Sequence, residues 1–480
     1  MKPNNPGQLL KQWKGRVPYF ALLLLCLASI PYLTRPPWFD EVLTLGWLTV
    51  GFSRIPFTYP IPNNHIVYTM LLSAWEAAGR EWCTNWILLL RLLSLLIGGA
   101  AIWILGKECI RSCGTIPGTL CTLLLAVSGP MTLFSTALRG YGAALLFSLA
   151  AFVAAERWMR GKICRPEGGL YLLFSLLAVG VMPTALFALL GGALFFLPEI
   201  RKKEKRLQWV LLAGIPIVSV PLFYAHIFRK LVAASQLREG WTGYGSAYWN
   251  VYGSFAFVFL PLLPAALAGG IRLWRRSKGM RIRLAVILLV YALPLAFLIP
   301  ARVPPFPRIF FPFFGIWTIL LGMLVRAYLH SAGRSGKILL LGGVFAWMLI
   351  TPALTPAASR ILFGPPGSDD LLCAYPVSEE FMPAAAAETI RKEIGEEGTV
   401  FIDFDADPPS LRILLLNSGV PEERVLYDRP DYGRVVRLPP NCLLVCRSRE
   451  DLEKLKRRFS LTGDFEPLLE RGMQKVYRPK

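Results

Sequence analysis

The sequence predicts a polytopic α-helical membrane protein with about eleven transmembrane helices, followed by a C-terminal soluble α/β domain. Hydrophobic residues make up 54% of the chain, and long apolar runs recur until about residue 354. Runs of ~20 apolar residues match a hydrocarbon core ~30 Å thick, where helices pair their own backbone groups. Basic residues gather in short segments between these runs. We therefore expect a transmembrane domain over residues 1–355 and an α/β domain over 356–480.

The net charge of +21 is explained by membrane orientation. Residues 1–355 carry 34 Lys and Arg against 10 Asp and Glu, whereas residues 356–480 carry 18 against 21. Positive charge that is confined to loops is typical of orientation in a membrane. No basic stripe interleaved with aromatic residues is present, so a nucleic-acid partner is excluded.

Six basic segments determine the predicted topology, and together they hold 24 Lys and Arg. By the positive-inside rule all six are cytoplasmic, so each apolar region between two of them crosses the membrane, turns and returns. A last crossing over 337–354 places the C-terminal domain outside the plasma (inner) membrane. The first run, Val17 to Leu33, is expected to remain as a helix because no small-x-small cleavage site closes it. The six segments are 1–16, 107–115, 157–168, 201–206, 272–283 and 326–337.

The shortest hairpin and two outer loops have distinctive sequences. Hairpin 169–198 is expected to turn near Met182 and Pro183, because proline disfavours helix for the residue before it. The first outer loop, about 35–84, contains amphipathic stretches that are typical of the membrane interface. The loop over 225–249 is rich in aromatic residues, which are typical of an interfacial belt.

The C-terminal domain is predicted to alternate strands with helices. Residues 399–404 and 442–446 have the pattern of buried strands, and 384–394 and 451–459 that of helices. Asp403, Asp405 and Asp407 alternate along a strand end, which favours solvated carboxylates over a metal site because no EF-hand spacing accompanies them. Whether this domain binds an acceptor or plugs the bundle stays open. The nine cysteines lack metal-type spacing, so no zinc site and no essential disulfide is expected.

Asp40 is the only aspartate in the first 368 residues, and it follows the first apolar run. Acids are costly near a membrane, so this residue has either a task or a partner. The alternative is a solvated carboxylate that caps a helix from Glu41.

Several short motifs around Asp40 resemble the first outer loop of the GT-C glycosyltransferases, above all protein O-mannosyltransferases and lipid A aminoarabinose transferases. In those enzymes an acidic pair is followed by His- or Lys-Pro-Pro-x-Tyr and then by Arg-Leu-x-Ser. The matching segments here are Trp38-Phe-Asp-Glu41, Pro62-Asn-Asn-His-Ile-Val-Tyr68, Arg91-Leu-Leu-Ser94, Ala137-Leu-Arg-Gly-Tyr141 and Pro307-Arg-Ile-Phe-Phe-Pro312. The sequence departs from the family pattern at Ile66-Val67, Met182 and Ile309. These differences bear on the identity of the donor headgroup and of the acceptor more than on the reaction class.

The resemblance implies an inverting hexosyl- or pentosyltransferase that uses a polyprenyl-phosphate sugar donor. Asp40 is the candidate general base for a lipid, glycan or protein acceptor, and Glu41 either binds the acceptor or positions Asp40. Cationic and hydrogen-bonding side chains would hold the donor phosphate. These candidates are His65, Arg139, Tyr141, Arg302 and Arg308.

Purely structural roles stay open for these residues: the arginines could be snorkelling anchors, and His65 could be an ordinary interfacial histidine. No cofactor or metal is implied, although a diphosphate donor would make a divalent ion more plausible. Two other functions stay open. They are a transporter or flippase of lipid-linked sugars, and a polysaccharide polymerase or ligase.

Overall fold

The computed structural model describes the backbone of most of the chain. The described residues are 6–35, 37, 39–48, 51–57, 65–83, 85–161, 163, 165–227, 247–298, 307–363, 383–403, 406, 408–427, 435–472 and 474–480. Arg302, Trp38, Pro62 and much of the aromatic loop 225–249 lie outside the described residues, as do Asp405 and Asp407.

Contacts divide the chain into two compact units. The first unit comprises residues 1–34 and 47–370, and the second comprises residues 35–46 and 371–480. The segment that carries Asp40 and Glu41 is thus grouped with the C-terminal residues. The expected domain boundary near residue 355 stays a prediction.

The first unit is helical throughout its described parts. A short helix, α2, covers Phe39–Leu48, and the sequence boundary between the two units falls within it. Among the 3-10 turns are Phe52–Phe57, Leu293–Leu298 and Pro307–Phe310. The other helices are α1 (Pro6–Leu33), α3 (Ile66–Gly79), α4 (Trp86–Cys113), α5 (Thr115–Ala126), α6 (Gly129–Thr136), α7 (Tyr141–Arg160), α8 (Pro166–Val181), α9 (Ala185–Phe195), α10 (Arg206–Tyr224), α11 (Ala247–Val258), α12 (Leu263–Arg276), α13 (Lys278–Ala292), α14 (Phe313–Leu329) and α15 (Arg334–Phe363).

Five helical stretches in the described residues are long and apolar enough to cross a membrane, or up to seven if each of two bent pairs is one span. Three shorter apolar helices, α8, α9 and α14, accompany them. These helices are those of a multi-pass membrane protein. The number of eleven transmembrane helices stays a prediction. The turn expected at Met182 and Pro183 is confirmed, because α8 ends at Val181 and α9 begins at Ala185.

Local sequence explains where α5 gives way to α6. The two helices form a bent pair at 57°. Ser128 begins α6 as its N-cap, and its Oγ accepts a hydrogen bond from the backbone N–H of Met131 at 3.3 Å. Pro130 follows in the first turn, where a proline costs no helical hydrogen bond. The Ser128 cap and Pro130 therefore begin a new helix here, in a direction different from that of α5.

Basic residues end several helices of the first unit. Arg111, Arg160, Arg276 and Arg326 lie in the last turns of α4, α7, α12 and α14. Cations at a helix C-terminus interact favourably with the helix dipole. Residues from five of the six basic segments line one cavity, so these segments lie at one end of the unit. This arrangement supports their predicted position on one side of the membrane.

The second unit contains a mixed five-stranded sheet. Its strand order is β2-β1-β3-β5-β4, with β1 parallel to β2 and β3, and β5 antiparallel to β3 and β4. The strands are β1 (Val400–Ile402), β2 (Val425–Leu426), β3 (Leu443–Cys446), β4 (Phe465–Leu469) and β5 (Lys475–Pro479), and the helices are α16 (Pro383–Glu393), α17 (Pro408–Asn417) and α18 (Arg449–Arg458).

Alternating strand residues build a core on each face of this sheet. Val400 and Ile402 pack in the same buried cluster as Ile390 of α16, whereas Phe401 belongs to the cluster that contains Leu452 of α18. The period of two along β1 explains this separation. The small α/β domain that the sequence predicts is therefore present, with helices near the expected positions.

Candidate active site

Glu41 is held by an arginine six residues before it. The Arg35 guanidinium donates from Nη1 to Oε2 at 3.1 Å and from Nη2 to Oε1 at 3.0 Å. The Arg35 side chain is 7% exposed and that of Glu41 is 0% exposed. A bidentate pair of this kind restrains both partners, so the Glu41 side chain is held in place at the start of α2. Arg35 is absent from the residues predicted for the site, although its position six residues before Glu41 is a sequence signal for such a bond.

Asp40 lies in the first turn of α2 with 2% of its surface exposed. Its backbone carbonyl accepts a hydrogen bond from Thr44 Oγ1 at 3.1 Å, as in a regular helical turn. Carboxylates are stabilised near a helix N-terminus by the helix dipole. The low exposure contradicts the alternative of a solvated carboxylate. Because a buried charge needs compensation, Asp40 has the environment of a functional or paired acid.

Four of the predicted phosphate-binding residues meet in the first unit, and we call them the His65 cluster: His65, Arg139, Tyr141 and Arg308. The His65 ring contacts the Tyr141 ring edge-on, with the centroids 5.0 Å apart. All four are buried, with exposed fractions of 6% or less. Asp40 and Glu41 belong to the second unit.

The charges of the cluster act on its histidine. Burial first, and then the positive charges of Arg139 and Arg308, lower the pKa of His65 well below its ordinary value. The imidazole is therefore neutral at neutral pH. Within the part of the chain that the structure describes, its Nδ1 has no hydrogen-bond partner. A neutral ring with one unsatisfied buried nitrogen is suited to hydrogen bonding with a ligand.

A glycine allows His65 to reach the connection between α6 and α7. Gly140 is the N-cap of α7. A Cβ added to it would lie 2.8 Å from Nδ1 of His65 and 2.6 Å from Cγ1 of Val181. Both distances are too short for a side chain, so only glycine fits here. The Arg-Gly-Tyr order of this motif thus has a physical reason: Arg139 and Tyr141 flank the point where His65 approaches the backbone.

Aromatic contacts join this connection to the turn that carries Arg308. Phe134 of α6 lies 4.9 Å from Tyr141 and 4.7 Å from Phe311, measured between ring centroids. Arg308 lies in the 3-10 turn Pro307–Phe310, directly before Phe311. Packed aromatic rings are rigid and bury large areas. They therefore help to fix Arg308 relative to Tyr141, although about 170 residues separate the two in sequence.

Other motif residues build the scaffold around the site. Nη1 of Arg91 donates to the carbonyl oxygens of Tyr32 at 3.1 Å and Leu33 at 3.0 Å, and so caps α1. The hydroxyl groups of Tyr68 and Ser94 are 2.6 Å apart. The structure thus brings two separate motifs of the resemblance together and gives Arg91, Tyr68 and Ser94 structural contacts.

Metal ligands are not grouped in the described residues. There, no three His, Cys, Asp or Glu side chains are close enough together to hold a metal ion. The absence of a cofactor stays a prediction. Arg302, the remaining candidate for the donor phosphate, lies outside the described residues.

Sequence comparisons and structural comparisons differ in outcome. No protein-family model matches the sequence, and no curated protein shows significant similarity to it. The structure is similar to that of ArnT from Cupriavidus metallidurans bound to undecaprenyl phosphate. The TM-score is 0.52 at 12% identity, over 96% of this chain and 97% of that one.

A second similar structure is the archaeal oligosaccharyltransferase AglB from Archaeoglobus fulgidus, in complex with an inhibitory peptide and a dolichol-phosphate. Its TM-score is 0.50 at 11% identity, over 84% of this chain and 64% of that one. The present chain thus spans less than two thirds of the archaeal protein. Both neighbours are GT-C glycosyltransferases. The chain therefore has the GT-C fold, as its first-loop motifs predict.

Proposed function

We propose that this protein transfers a sugar from a polyprenyl-phosphate donor to an acceptor at the outer face of the plasma membrane. The observation that carries the proposal is the His65 cluster, in which two buried arginines act on one neutral histidine inside a GT-C fold. Residues 356–480 would lie on the same outer side. The acceptor would be a lipid, a glycan or a protein, and the sugar a hexose or pentose.

The donor phosphate is the group that the cluster would bind. Guanidinium groups offer planar forks that match phosphate oxygens, and they remain charged at any physiological pH. Arg139 and Arg308 would meet the negative charge that grows on the leaving phosphate. His65 and Tyr141 would add hydrogen bonds to the same group. In support, the similar ArnT structure holds undecaprenyl phosphate, and the similar AglB structure holds a dolichol-phosphate.

Asp40 would serve as the general base. As the acceptor oxygen forms its bond to the anomeric carbon, its proton passes to the carboxylate, and the bond from that carbon to the phosphate oxygen breaks. The polyprenyl phosphate leaves with the electron pair, so the configuration at the anomeric carbon inverts. An acceptor that is itself a phosphate needs little base catalysis, and Asp40 would then only position groups.

Glu41 would support this base through Arg35. The bidentate pair fixes the start of α2, which is where the Asp40 side chain originates. Catalytic groups work best when neighbouring contacts hold their geometry. We assign Arg35 and Glu41 as positioning residues on this ground.

The test is mass spectrometry of surface glycans and polyprenyl lipids from cells that carry Asp40→Asn. Accumulation of one lipid-linked sugar, with loss of one surface decoration, is the expected result. Glu81→Gln is the matched control, because Glu81 is an exposed acid of the same predicted outer loop. Wild-type lipids and glycans in the Asp40→Asn cells would overturn the proposed role of this carboxylate.

Purified protein separates transfer from transport. With a lipid-linked donor in vesicles, the wild type is expected to move sugar to an acceptor and the Asp40→Asn variant is not. A wild-type protein that only moves the intact donor between leaflets would establish a flippase in place of a transferase.

A further inference from the structure

A second group of cationic side chains lies in the first unit, around a cavity among the ends of α4, α7, α12 and α14. We call it the cationic cavity. Its volume is about 880 Å³, and seven Lys and Arg residues line it against two Glu. The basic lining residues are Arg111, Arg160, Lys202, Lys205, Arg276, Arg283 and Arg326.

Both acidic residues that line this cavity are in ion pairs. Glu156 pairs with both Arg111 and Arg160, and Arg111 also bonds to Glu108 at 2.6 Å. Glu199 pairs with Lys202 at 2.7 Å. Both acidic lining residues are therefore in ion pairs, which account for three of the seven cations.

Four cations remain without a carboxylate partner among the described residues. Lys205 bonds to Gln208 at 3.0 Å, and Arg326 bonds to the Ser112 carbonyl at 3.0 Å. These partners are neutral. The side chains of Arg276 and Arg283 have neither a hydrogen bond nor an ion pair within the parts of the chain described. The cavity therefore carries a local excess of positive charge.

The same cavity has an apolar wall. Phe195, Met280, Ile287 and Met323 are among its lining residues. A dissolved inorganic anion would gain nothing from such a wall, whereas the glycerol and first methylene groups of a lipid would bury against it. Basic pockets between the ends of transmembrane helices on the cytoplasmic side suit lipid phosphates.

We propose that the cationic cavity binds the phosphate headgroup of an anionic phospholipid from the cytoplasmic leaflet. The positive-inside rule by itself explains an excess of basic residues on this side, but it does not require them to converge on one cavity. The site shares no residue with the His65 cluster. It therefore stands or fails separately from the proposed transfer reaction.

The experiment is native mass spectrometry of the purified full chain in detergent. It is titrated with phosphatidylglycerol, and in parallel with phosphatidylcholine of the same acyl chains. Arg276→Gln together with Arg283→Gln is expected to weaken phosphatidylglycerol binding at least about ten-fold and to leave phosphatidylcholine binding unchanged. The matched control is Arg272→Gln with Arg275→Gln, which removes equal charge from exposed residues outside the cavity and is expected to change binding less than about two-fold.

A second variant tests the cavity without changing its charge. Met280→Trp fills the space beside the cations, and we expect it to weaken phosphatidylglycerol binding as well. Equal loss in the two arginine double variants would overturn the proposal in favour of general surface charge. Equal binding of both lipids by the wild type would also overturn it. Inorganic phosphate binding with the same dependence on Arg276 and Arg283, but without phosphatidylglycerol binding, would replace the lipid by a dissolved phosphate.

Discussion

Arg35 donates hydrogen bonds to both carboxylate oxygens of Glu41 in a buried ion pair at the start of α2. The two residues are only six positions apart, and the pair fixes the turn on which Asp40 lies. The acidic pair thus divides into two roles: one carboxylate holds the local structure, and its neighbour is the candidate for chemistry.

Glu41→Gln is expected to lower the stability of the full chain. The change leaves the Arg35 charge buried with a weaker partner, and breaking a buried ion pair costs about 3–5 kcal/mol. Thermal unfolding of the purified protein measures the loss. In a double-mutant cycle, Arg35→Gln with Glu41→Gln is expected to show coupling of about 1–3 kcal/mol. Strictly additive losses would contradict the pair.

Stability is expected to fall at acidic pH because of His65. Its pKa is lowered in the folded protein, so the unfolded chain takes up a proton first as the pH falls below about 6.5. The neutral ring therefore contributes stability above that pH, and about 1.4 kcal/mol is lost per pH unit below it until the folded ring is protonated as well. His65→Gln is expected to flatten this part of the stability profile. An unchanged profile would contradict a buried neutral histidine.

Gly140→Ala is expected to displace His65. The added Cβ would approach Nδ1 of His65 at 2.8 Å, and such overpacking costs about 1–3 kcal/mol. Transfer activity and thermal stability are both expected to fall. Gly214→Ala is the matched control, since nothing lies within 4 Å of a Cβ at that position. Equal behaviour of the two variants would show that the space around Gly140 is larger than the structure indicates.

Arg139→Lys tests whether the fork of the guanidinium, rather than its charge, binds the donor. Lysine keeps the charge but cannot make a bidentate contact. If Arg139 stabilises the leaving phosphate, kcat is expected to fall about 10²-fold, with a smaller change in KM for the donor. Arg80→Lys, at an exposed position of the predicted outer loop, is the control. Full activity of Arg139→Lys would leave this arginine a structural residue.

Arg91→Gln is expected to destabilise the end of α1. The buried guanidinium donates to two carbonyls there, and a hydrogen bond to a charged group contributes about 1.5–3 kcal/mol. Hydrogen exchange is expected to rise first at the last turn of α1. A uniform rise over the whole bundle would indicate that the cap has no local effect.

Local patterns determined much of the architecture. Apolar runs predict the membrane helices because the bilayer sets their length, and Pro183 predicts the break between α8 and α9 because it disfavours helix for Met182. Short continuous apolar runs likewise predict β1 and β3 of the C-terminal sheet as buried strands. Each of these features depends on neighbours that are close in sequence, which is why composition and periodicity suffice.

Motif order determined which residues are candidates, but only tertiary structure decided which of them meet. His65, Arg139 and Arg308 come from three distant segments. The small size of Gly140 lets His65 approach Arg139, and the packing of Phe134 between Tyr141 and Phe311 holds the Arg308 turn beside them. The convergence of basic helix ends on the cationic cavity has the same origin. Sequence alone specifies the charge of each loop, whereas the distance between two loops depends on how the helices pack.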